Sequence, residues 1–365
     1  MIYYDETQKV LAHYLSDTEI LMNELLSKSF SGSAQIKVTT DLGFPHDVIR
    51  IAGGFATGVH VSWESSRPFI PVDTCVNVCS ASFFEIDREI LDLFTNEYMN
   101  SVKEHLSQGI YVSNFHRGNH FISYLHSRKT GKLFLLLHSS ANEFKDNFNG
   151  LYPVKGNWFY DKIKVYSDGK KYINYLDDKE AESFYRLAEG LYKFNEIRHE
   201  FIAQVILGTL KNVTNVQHFH HYGMPTYNSV VMGSHILKNG ESAPVLTMPG
   251  QNIYMVKFNS VKDDSLLINE SQFITPHGWG KRHKNVPQIS LDLNRNKFTL
   301  DSESYEIKFG ESLRAHTNLE LRDFNSEKNS GKDNFFNYLE KMYNLKITDE
   351  MEQIASWNKE GIRVW

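Results

Sequence analysis

The chain has only two cysteines, Cys75 and Cys79, among its 365 residues. Two thiols are too few for a disulfide framework, and they are better interpreted as reduced thiols, which are typical of a reducing compartment. The sequence also lacks any apolar run near the ~18 residues that a membrane span needs. It begins MIYYDETQKV, with acidic and polar side chains where a signal peptide needs a basic start and an apolar stretch. We therefore expect a cytoplasmic protein with no membrane segment.

The sequence has no excess of positive charge and no visible linker. Its formal net charge of -5 gives no overall attraction to nucleic acid, so any such binding must come from a local basic patch. The segment Lys281-Arg282-His283-Lys284 is the candidate patch. The length permits one or two domains, but no Pro/Ser-rich tract, low-complexity segment or internal repeat marks a boundary. These absences favour one domain over residues 1–365.

Apolar spacing and turn residues divide the chain into mixed elements. A capping box at Ser16–Glu19 predicts a helix that ends near Ser29, and apolar residues at helical spacing predict one long helix or two between Asp178 and Leu210. Strands are predicted over about 35–87, in a hairpin over about 121–137, and over about 218–309. Two further helices are predicted near 333–343 and 349–357. Since these elements do not alternate as regular βαβ units, we expect an α+β fold of mixed, mainly antiparallel sheets flanked by helices.

The predicted hairpin carries a histidine at the open end of each strand, His120 and His138. If the pairing is symmetric about Lys129, the two histidines lie directly across from each other, with Cβ atoms about 4.5 to 5.5 Å apart on one face. Two imidazoles at that separation can share one metal ion. A slip of one residue in the register would place them on opposite faces. The simpler alternative is that each histidine caps a strand and bonds to a backbone carbonyl.

Three other segments, expected in loops or turns, carry side chains that bind metals. They are Gln217–Gly223 with three histidines, Thr275–Gly280 with His277 between proline and glycine, and Val72–Cys75 with a carboxylate and a thiol. Each has a structural alternative, since the histidines can lie in solvated turns and the cysteines can be small core residues. Taken with the hairpin, they predict a metal site. Carboxylate, imidazole and thiolate ligands suit Mn²⁺ or Zn²⁺, and the carboxylate favours the harder Mn²⁺.

Several of these motifs occur in an order that resembles the RtcB-type RNA ligases. The resemblance runs from roughly Asp41 to Lys284 and depends on the following segments: Pro71-Val72-Asp73, Gly118-Asn119-His120-Phe121-Ile122, Leu136-Leu137-His138-Ser139, His220-His221, Met248-Pro249-Gly250 and His277-Gly278-Trp279-Gly280. The second and third segments are fairly specific. The others are weak singly and informative only as an ordered set.

The resemblance implies a compact α+β domain that uses GTP and one or two Mn²⁺ ions. In that family a histidine attacks the α-phosphate of GTP, the GMP passes to an RNA 3′-phosphate or opened 2′,3′-cyclic phosphate, and an RNA 5′-hydroxyl then displaces it. An activating partner of the archease type is a further implication. By this resemblance His277 is the nucleophile. The metal ligands are Asp73, His120, His138 and His221, with Cys75 as the candidate thiolate. The nucleotide contacts are Asn119, Met248, Pro249, Gly250, Gly278 and Lys281.

The sequence departs from the family pattern at several of these positions. The family cysteine three residues after the aspartate is Val76 here, with Cys75 one residue earlier and Cys79 three residues later. Either Cys75 reaches the metal through a shifted turn or one ion has lost a ligand, and the sequence leaves open whether Cys75 or Cys79 is the thiolate. Ser123 replaces a glutamate, and Lys281 replaces an arginine and so loses the bidentate fork. An arginine after the second hairpin histidine and a lysine near the end of the chain are also missing.

These departures indicate a divergent paralogue and leave three functions open. The first is a ligase that joins RNA ends. The second is a metal-dependent cyclic phosphoesterase that opens cyclic phosphates without joining ends, because the metal ligands are retained while nucleotide contacts change. The third is a non-catalytic RNA-binding descendant, in which the histidines remain as structural residues.

Overall fold

The computed structural model describes residues 2–108, 115, 120–141, 150–322 and 335–365. Helices and extensive antiparallel sheets both contribute, so the α+β prediction is confirmed. The helices are α1 (Glu6–Ser29), α2 (Val48–Ala52), α3 (Asn96–Leu106), α4 (Asp178–Leu207) and α5 (Phe335–Met342). Among the described residues no helix is both long and apolar enough to cross a membrane.

Helix α1 begins earlier than the sequence analysis predicted. Asp5 caps it, accepting a hydrogen bond from the Gln8 amide at 3.0 Å, and buried Leu11 and Leu15 continue the apolar stripe upstream. Thr18, which the predicted capping box placed at the start, lies mid-helix and bonds back to the Tyr14 carbonyl at 3.2 Å. The predicted helix start at Ser16 is therefore wrong, because an equally good cap exists at Asp5.

An eight-stranded antiparallel sheet, here called the main sheet, forms the centre of the fold. Its strands are β4 (Cys79–Ile86), β5 (Phe121–Ser127), β6 (Leu133–Ser140), β9 (Val213–His220), β13 (Glu241–Val245), β14 (Ile253–Val261), β21 (Tyr343–Asn358) and β22 (Gly361–Val364). Their order in the sheet is β13-β14-β21-β5-β6-β4-β9, with β22 paired to β21. One face packs Phe84, Leu135 and Leu137 against Ile202 and Ile206 of α4.

Smaller sheets surround the main sheet. A four-stranded sheet has the order β1 (Ser33–Gly43), β2 (Thr57–Glu64), β11 (Ser229–Met232), β10 (Tyr222–Thr226). Three-stranded sheets are β3 (Phe69–Pro71), β8 (Tyr172–Asp177), β7 (Lys164–Ser167), and β17 (Ile289–Asp292), β18 (Lys297–Leu300), β19 (Glu303–Glu306). Two pairs complete the set: β12 (Ser234–Lys238) with β15 (Gln272–Pro276), and β16 (Lys281–His283) with β20 (Leu319–Leu321).

The predicted helix near 349–357 is wrong, because this segment belongs to β21. It pairs with both β14 and β5 and so lies inside the main sheet. Burial alternates along part of it, with Met351, Gln353 and Ala355 buried and the residues between them half-buried. A period of two is the pattern of a strand. Of the two helices predicted near the end of the chain, only the first corresponds to a helix, α5.

The predicted hairpin is present as β5 and β6, but its register differs by one residue. His138 pairs with Phe121 instead of His120, and His126 pairs with Leu133. The turn therefore contains four residues, Arg128–Gly131, and its symmetry point falls after Lys129 instead of on it. His120 lies one residue before the first strand residue and outside the ladder.

Candidate functional site

A cavity of about 890 Å³ opens at one end of the main sheet. Strand β4 begins there at Cys79, β6 ends just past His138, and His221 follows the end of β9. His120 and His277 also line this cavity. The four histidines that the sequence analysis took from separate segments are thus brought together. His218–His220 lie in strand β9 and not in the predicted loop.

Cys79, His138 and His221 form a buried cluster of metal-binding side chains. The Cys79 Sγ is 3.5 Å from His138 Nε2, which is 3.2 Å from His221 Nε2. One donor atom from each side chain lies within 4.8 Å of the other two. The strand register produces this closeness, since Ala81 pairs with His138 and the His221 amide donates to the Cys79 carbonyl at 3.2 Å. The cluster could hold a metal ion.

His120 reaches the same cavity despite the register difference. Its ring centre is 6.0 Å from that of His138, and its Nε2 is 3.3 Å from the Ser140 hydroxyl. A residue just before the strand is not bound by the alternation of faces within the ladder. A register shift of one residue would separate two histidines that both lay inside the strands. Because His120 lies outside the ladder, it stays beside the cluster.

The surroundings keep His221 uncharged. Complete burial lowers its pKa well below the usual value, and the neighbouring His277, His138 and His235 lower it further. Burial in the same way lowers the pKa of His235 to about 4. A histidine must be neutral to donate a lone pair to a metal ion. His221 is therefore in the protonation state that metal binding requires.

Helix α4 contacts the residue that follows His138 in β6. The hydroxyl of Ser139, the residue after His138, accepts a hydrogen bond from Arg198 Nη1 at 2.9 Å and lies 2.8 Å from His199 Nε2. His199 is fully buried, and burial lowers its pKa well below the usual value. Helix α4 thus fixes the end of β6, where His138 enters the cavity.

The structure does not bring Asp73 and Cys75 into the cluster. Both are buried, and neither lines the cavity. Asp73 accepts a hydrogen bond from Asn174 at 3.2 Å, and burial raises its pKa to about 7. Cys75 has a φ of 47° after the 3₁₀ turn Val72–Thr74, and its side chain packs with Ile49 and Tyr152.

Cys79 provides the thiol of the cluster, although the sequence analysis considered Cys75 first. The carbonyls of Thr74 and Cys75 accept hydrogen bonds from Arg50 at 3.1 and 2.8 Å, which fixes the turn away from the histidines. Neither cysteine forms a disulfide. Cys79 lies within the predicted strand region of about 35–87, but its neighbours across the sheet could not be predicted from the sequence.

His277 follows β15 and is oriented by Asp41. Its Nδ1 lies 2.6 Å from Asp41 Oδ2, and the same oxygen accepts from the Gly278 amide at 3.3 Å. Asp41 is fully buried, and its other oxygen accepts from the Thr39 hydroxyl. An imidazole that donates from Nδ1 keeps the Nε2 lone pair available. The ring stacks on His221 with centres 4.9 Å apart.

The glycine at Gly233 lets the chain approach His277 closely. It has a φ of +75°, and a Cβ at this position would lie 2.9 Å from His277 Cε1. The functional partner that the sequence analysis missed is Asp41. It was noted only as the start of the resemblance, and a separation of 236 residues from His277 leaves no local pattern that could connect the two.

Basic side chains line the side of the cavity near β16. The Lys281 Nζ and Arg314 Nε lie 3.1 and 3.3 Å from His46 Nδ1. Burial, together with the positive charges of Arg314 and Lys359, lowers the pKa of Lys281 to about 8. Cations that disfavour one another's charge are stabilised by a bound anion. This wall, here called the cationic wall, is therefore suited to phosphate groups.

The predicted basic patch at 281–284 is divided by the fold. Arg282 pairs with Glu320 at 2.8 Å, His283 is buried against Asp301, and Lys284 bonds to the Thr317 carbonyl at 2.9 Å. Of the segment, only Lys281 lines the cavity. Other cations that line the cavity, among them Arg314 and Lys359, come from segments distant in sequence.

The remaining predicted nucleotide contacts lie at or near the cavity. Met248, Pro249 and Gly278 line it. Gly250 has a φ of +81° and lies against the Trp365 ring, which a Cβ would approach to 2.6 Å. Asn119, the predicted phosphate contact, lies outside the described residues.

Comparison of the chain with models of known protein families and with curated proteins found no match.

Proposed function

We propose that the protein is an RNA ligase of the RtcB type. It would join an RNA 2′,3′-cyclic phosphate or 3′-phosphate end to a 5′-hydroxyl end through a histidine-GMP intermediate on His277. The observation that carries this proposal is the position of His277. Its ring stacks on His221 of the cysteine-histidine cluster, its Nδ1 is held by Asp41, and it lies in a cavity with a cationic wall.

Asp41 gives His277 the tautomer that a nucleophile needs. With its proton on Nδ1, the ring attacks the α-phosphorus of GTP through Nε2, a P–N bond forms, and the P–O bond to pyrophosphate breaks. The RNA 3′-phosphate then takes the GMP and frees the imidazole. Attack of the 5′-hydroxyl on this activated phosphate releases GMP and joins the ends. Asp41 holds the ring in place throughout, and the Gly278 amide fixes Asp41 in turn.

Cys79, His138 and His221 would hold the metal ion, with His120 beside them. A divalent ion there would offset the negative charge that gathers at the phosphorus. The residues fit a divalent transition-metal ion. One thiolate and two imidazoles without a carboxylate are softer ligands than Mn²⁺ prefers, and they favour Zn²⁺ by that criterion. The resemblance implies Mn²⁺ and the ligands favour Zn²⁺, so the proposal is tested with both ions.

The cationic wall would bind the phosphates of GTP or RNA. Lys281 and Arg314 converge on one point at His46, and Lys359 contributes a third charge to the same side of the cavity. We also place the protein in the cytoplasm, where the thiol of Cys79 would stay reduced. An archease-type activator remains a proposed partner.

A second function, a metal-dependent cyclic phosphoesterase, is supported by the same pair of residues. A histidine held by a buried aspartate also suits a general base that activates water for attack on a cyclic phosphate. Such an enzyme would need neither GTP nor a covalent intermediate.

One experiment separates the two functions. An RNA with a 2′,3′-cyclic phosphate end and an RNA with a 5′-hydroxyl end are incubated with the protein and Mn²⁺ or Zn²⁺, with and without GTP. A joined product that depends on GTP supports the ligase. A 3′-phosphate product that forms without GTP, and no joined product, supports the phosphoesterase. His105→Ala is the control for His277→Ala, because His105 is an exposed residue of α3 that does not line the cavity.

A further inference from the structure

A second cluster of metal-binding side chains lies outside the cavity. His283 ends β16, Asp301 lies in the turn between β18 and β19, and His316 follows the 3₁₀ turn Leu313–Ala315. One donor atom from each residue lies within 4.8 Å of the other two. None of the three lines the cavity, and none belongs to the proposed ligase chemistry.

The two histidines converge on the carboxylates from different elements. His283 Nε2 lies 2.7 Å from Asp301 Oδ2, and His316 Nε2 lies 3.9 Å from the same oxygen. Glu303 adds a second carboxylate, 3.7 Å from His316 Nε2. Both histidine side chains are 1% exposed, whereas those of Asp301 and Glu303 are 24% and 45% exposed. The imidazoles thus form the buried side of the cluster and the carboxylates its solvent side.

We propose that His283, Asp301 and His316 bind a divalent ion of the Zn²⁺ type, with Glu303 as a fourth ligand. Two imidazoles with carboxylates suit Zn²⁺, which is usually held by four ligands at about 2.0 to 2.2 Å. Tetrahedral ligands at that distance are about 3.4 Å from one another. The separations of 2.7 Å for His283–Asp301 and 3.9 Å for His316–Asp301 bracket this value, and the three donor atoms all lie within 4.8 Å of one another. Glu303, 3.7 Å from His316 Nε2, would move toward the ion as the fourth ligand.

The surrounding hydrogen bonds orient part of this site in advance. His283 Nδ1 accepts from the Asn285 amide at 3.1 Å, so the ring proton is on Nε2 and faces Asp301 at 2.7 Å. Metal binding at Nε2 would move this proton to Nδ1, where the Asn285 carbonyl lies 2.9 Å away to accept it. Asp301 accepts at one oxygen from the Gln288 amide at 3.2 Å. His316 Nδ1 accepts from the Asn318 amide at 3.2 Å, which places the ring proton on Nε2. Nε2 faces the Leu300 carbonyl at 3.4 Å, so metal binding at Nε2 would move the proton to Nδ1 and break the bonds to both Leu300 and Asn318.

A bound ion would cross-link the two segments that carry Lys281 and Arg314 of the cationic wall. Lys281 is two residues before His283, and Arg314 is two residues before His316. The ion would therefore link β16 and the turn Leu313–Ala315 to the sheet β17–β19, and so hold the two cations that meet at His46. Its role is structural, and it depends on neither the ligase nor the phosphoesterase proposal.

Cobalt titration of chelator-treated full-length protein tests this site separately from the cavity cluster. Co²⁺ bound by a thiolate gives a charge-transfer absorption that a histidine-carboxylate site cannot give. The wild type should bind two Co²⁺ ions, only one with that absorption. His316→Gln should lose the ion without the absorption and keep the other, whereas Cys79→Ala should lose the absorption and keep the second ion.

Asp301→Asn serves as a second variant in case His316→Gln does not fold, and Asp292→Asn in the same small sheet is its matched control. Circular dichroism confirms the fold of each variant. Zn²⁺ should raise the thermal midpoint of the Cys79→Ala protein but not that of a protein carrying both Cys79→Ala and Asp301→Asn. Equal cobalt content in the wild type and in folded His316→Gln or Asp301→Asn would overturn the proposal and leave a hydrogen-bonded cluster that takes no metal.

Discussion

The Nδ1 atom of His277 lies 2.6 Å from Oδ2 of Asp41, although 236 residues separate them in the chain. Strand β1 brings the aspartate to this point, and β15 delivers the histidine. Because Asp41 is fully buried and also bound by Thr39 and the Gly278 amide, it holds the imidazole in one orientation. The proposed chemistry therefore depends on this pair as much as on the metal-binding cluster.

Asp41→Asn should abolish most of the activity while leaving metal content unchanged. An asparagine can donate to His277 Nδ1, which would move the ring proton to Nε2 and remove the nucleophile's lone pair. In a comparable aspartate-histidine pair this change costs about 10⁴-fold in rate, and we expect a loss of about 10²- to 10⁴-fold. Single-turnover guanylylation measures it, with exposed Asp92→Asn as the control. Activity within about threefold of the wild type would show that Asp41 has no orienting role.

Cys79→Ala should reduce metal binding at the cavity cluster, and Cys75→Ala should not. Only the Cys79 sulfur lies beside His138, whereas Cys75 packs with Ile49 and Tyr152. Loss of one ligand should lower the affinity for the ion by at least about 10- to 100-fold. That is the range for substitution of residues that only hydrogen-bond to a metal ligand. Equilibrium dialysis against Zn²⁺ and Mn²⁺ gives both affinities and decides which ion is preferred. Weaker binding in Cys75→Ala alone would restore the shifted-turn interpretation.

The metal-free protein should lose stability as the pH falls from about 6.5 to 4. Burial lowers the pKa of His235 and of His60 to about 4, and it lowers those of His221 and His199 well below the usual value. The unfolded chain then binds more protons than the native state in this window, so stability falls with pH. His235 alone accounts for a decrease on the order of 3 kcal/mol in the free energy of unfolding. Urea unfolding at several pH values, in the presence of a chelator, measures this slope.

Asp73 opposes that trend and provides an internal check. Burial raises its pKa from 3.8 to about 7, so its contribution to stability is present at low pH and is lost as the pH rises toward 7. Asp73→Asn should therefore make the loss of stability between pH 6.5 and 4 steeper. An unchanged or shallower slope in this variant would mean that Asp73 is ionised in the native state.

Lys281→Gln should weaken RNA binding and reduce its salt dependence, whereas Lys284→Gln should do neither. Lys281 faces the cavity beside Arg314, while Lys284 is exposed and bonds to the Thr317 carbonyl. Removal of one phosphate contact should lower the slope of log K against log salt by about 1. Fluorescence anisotropy over a range of salt concentrations measures both variants. Equal effects of the two substitutions would favour the contiguous basic patch of the sequence analysis.

The parts of the fold that could be predicted are those with a local pattern. The 3.6-residue period predicted α4, which ends at Leu207 before a left-handed Gly208, and the two apolar runs predicted β5 and β6. The start of α1 was also recoverable, since the cap at Asp5 is a local signal. The strand character of β21 was not, because its alternating burial depends on pairing with β14 and β5.

The parts that could not be predicted depend on contacts between distant segments. The hairpin register depends on whether the turn has four or five residues. The composition of the turn does not determine this number. The identity of the clustered thiol depended on how β4 pairs with β6 and β9. Arg314 and Lys359 lie near Lys281, and Asp41 lies beside His277, only in the folded chain. Neither grouping could be predicted from local sequence.

The central claim is that His277 becomes guanylylated, and mapping of the covalent adduct tests it most directly. The protein is incubated with α-labelled GTP and Mn²⁺ or Zn²⁺, and the modified peptide is identified by mass spectrometry under conditions that preserve the acid-labile P–N bond. We predict one GMP on His277 in the wild type and in His105→Ala, and none in His277→Ala. A folded, metal-loaded protein that carries no GMP, or a GMP attached to any other residue, would contradict the account.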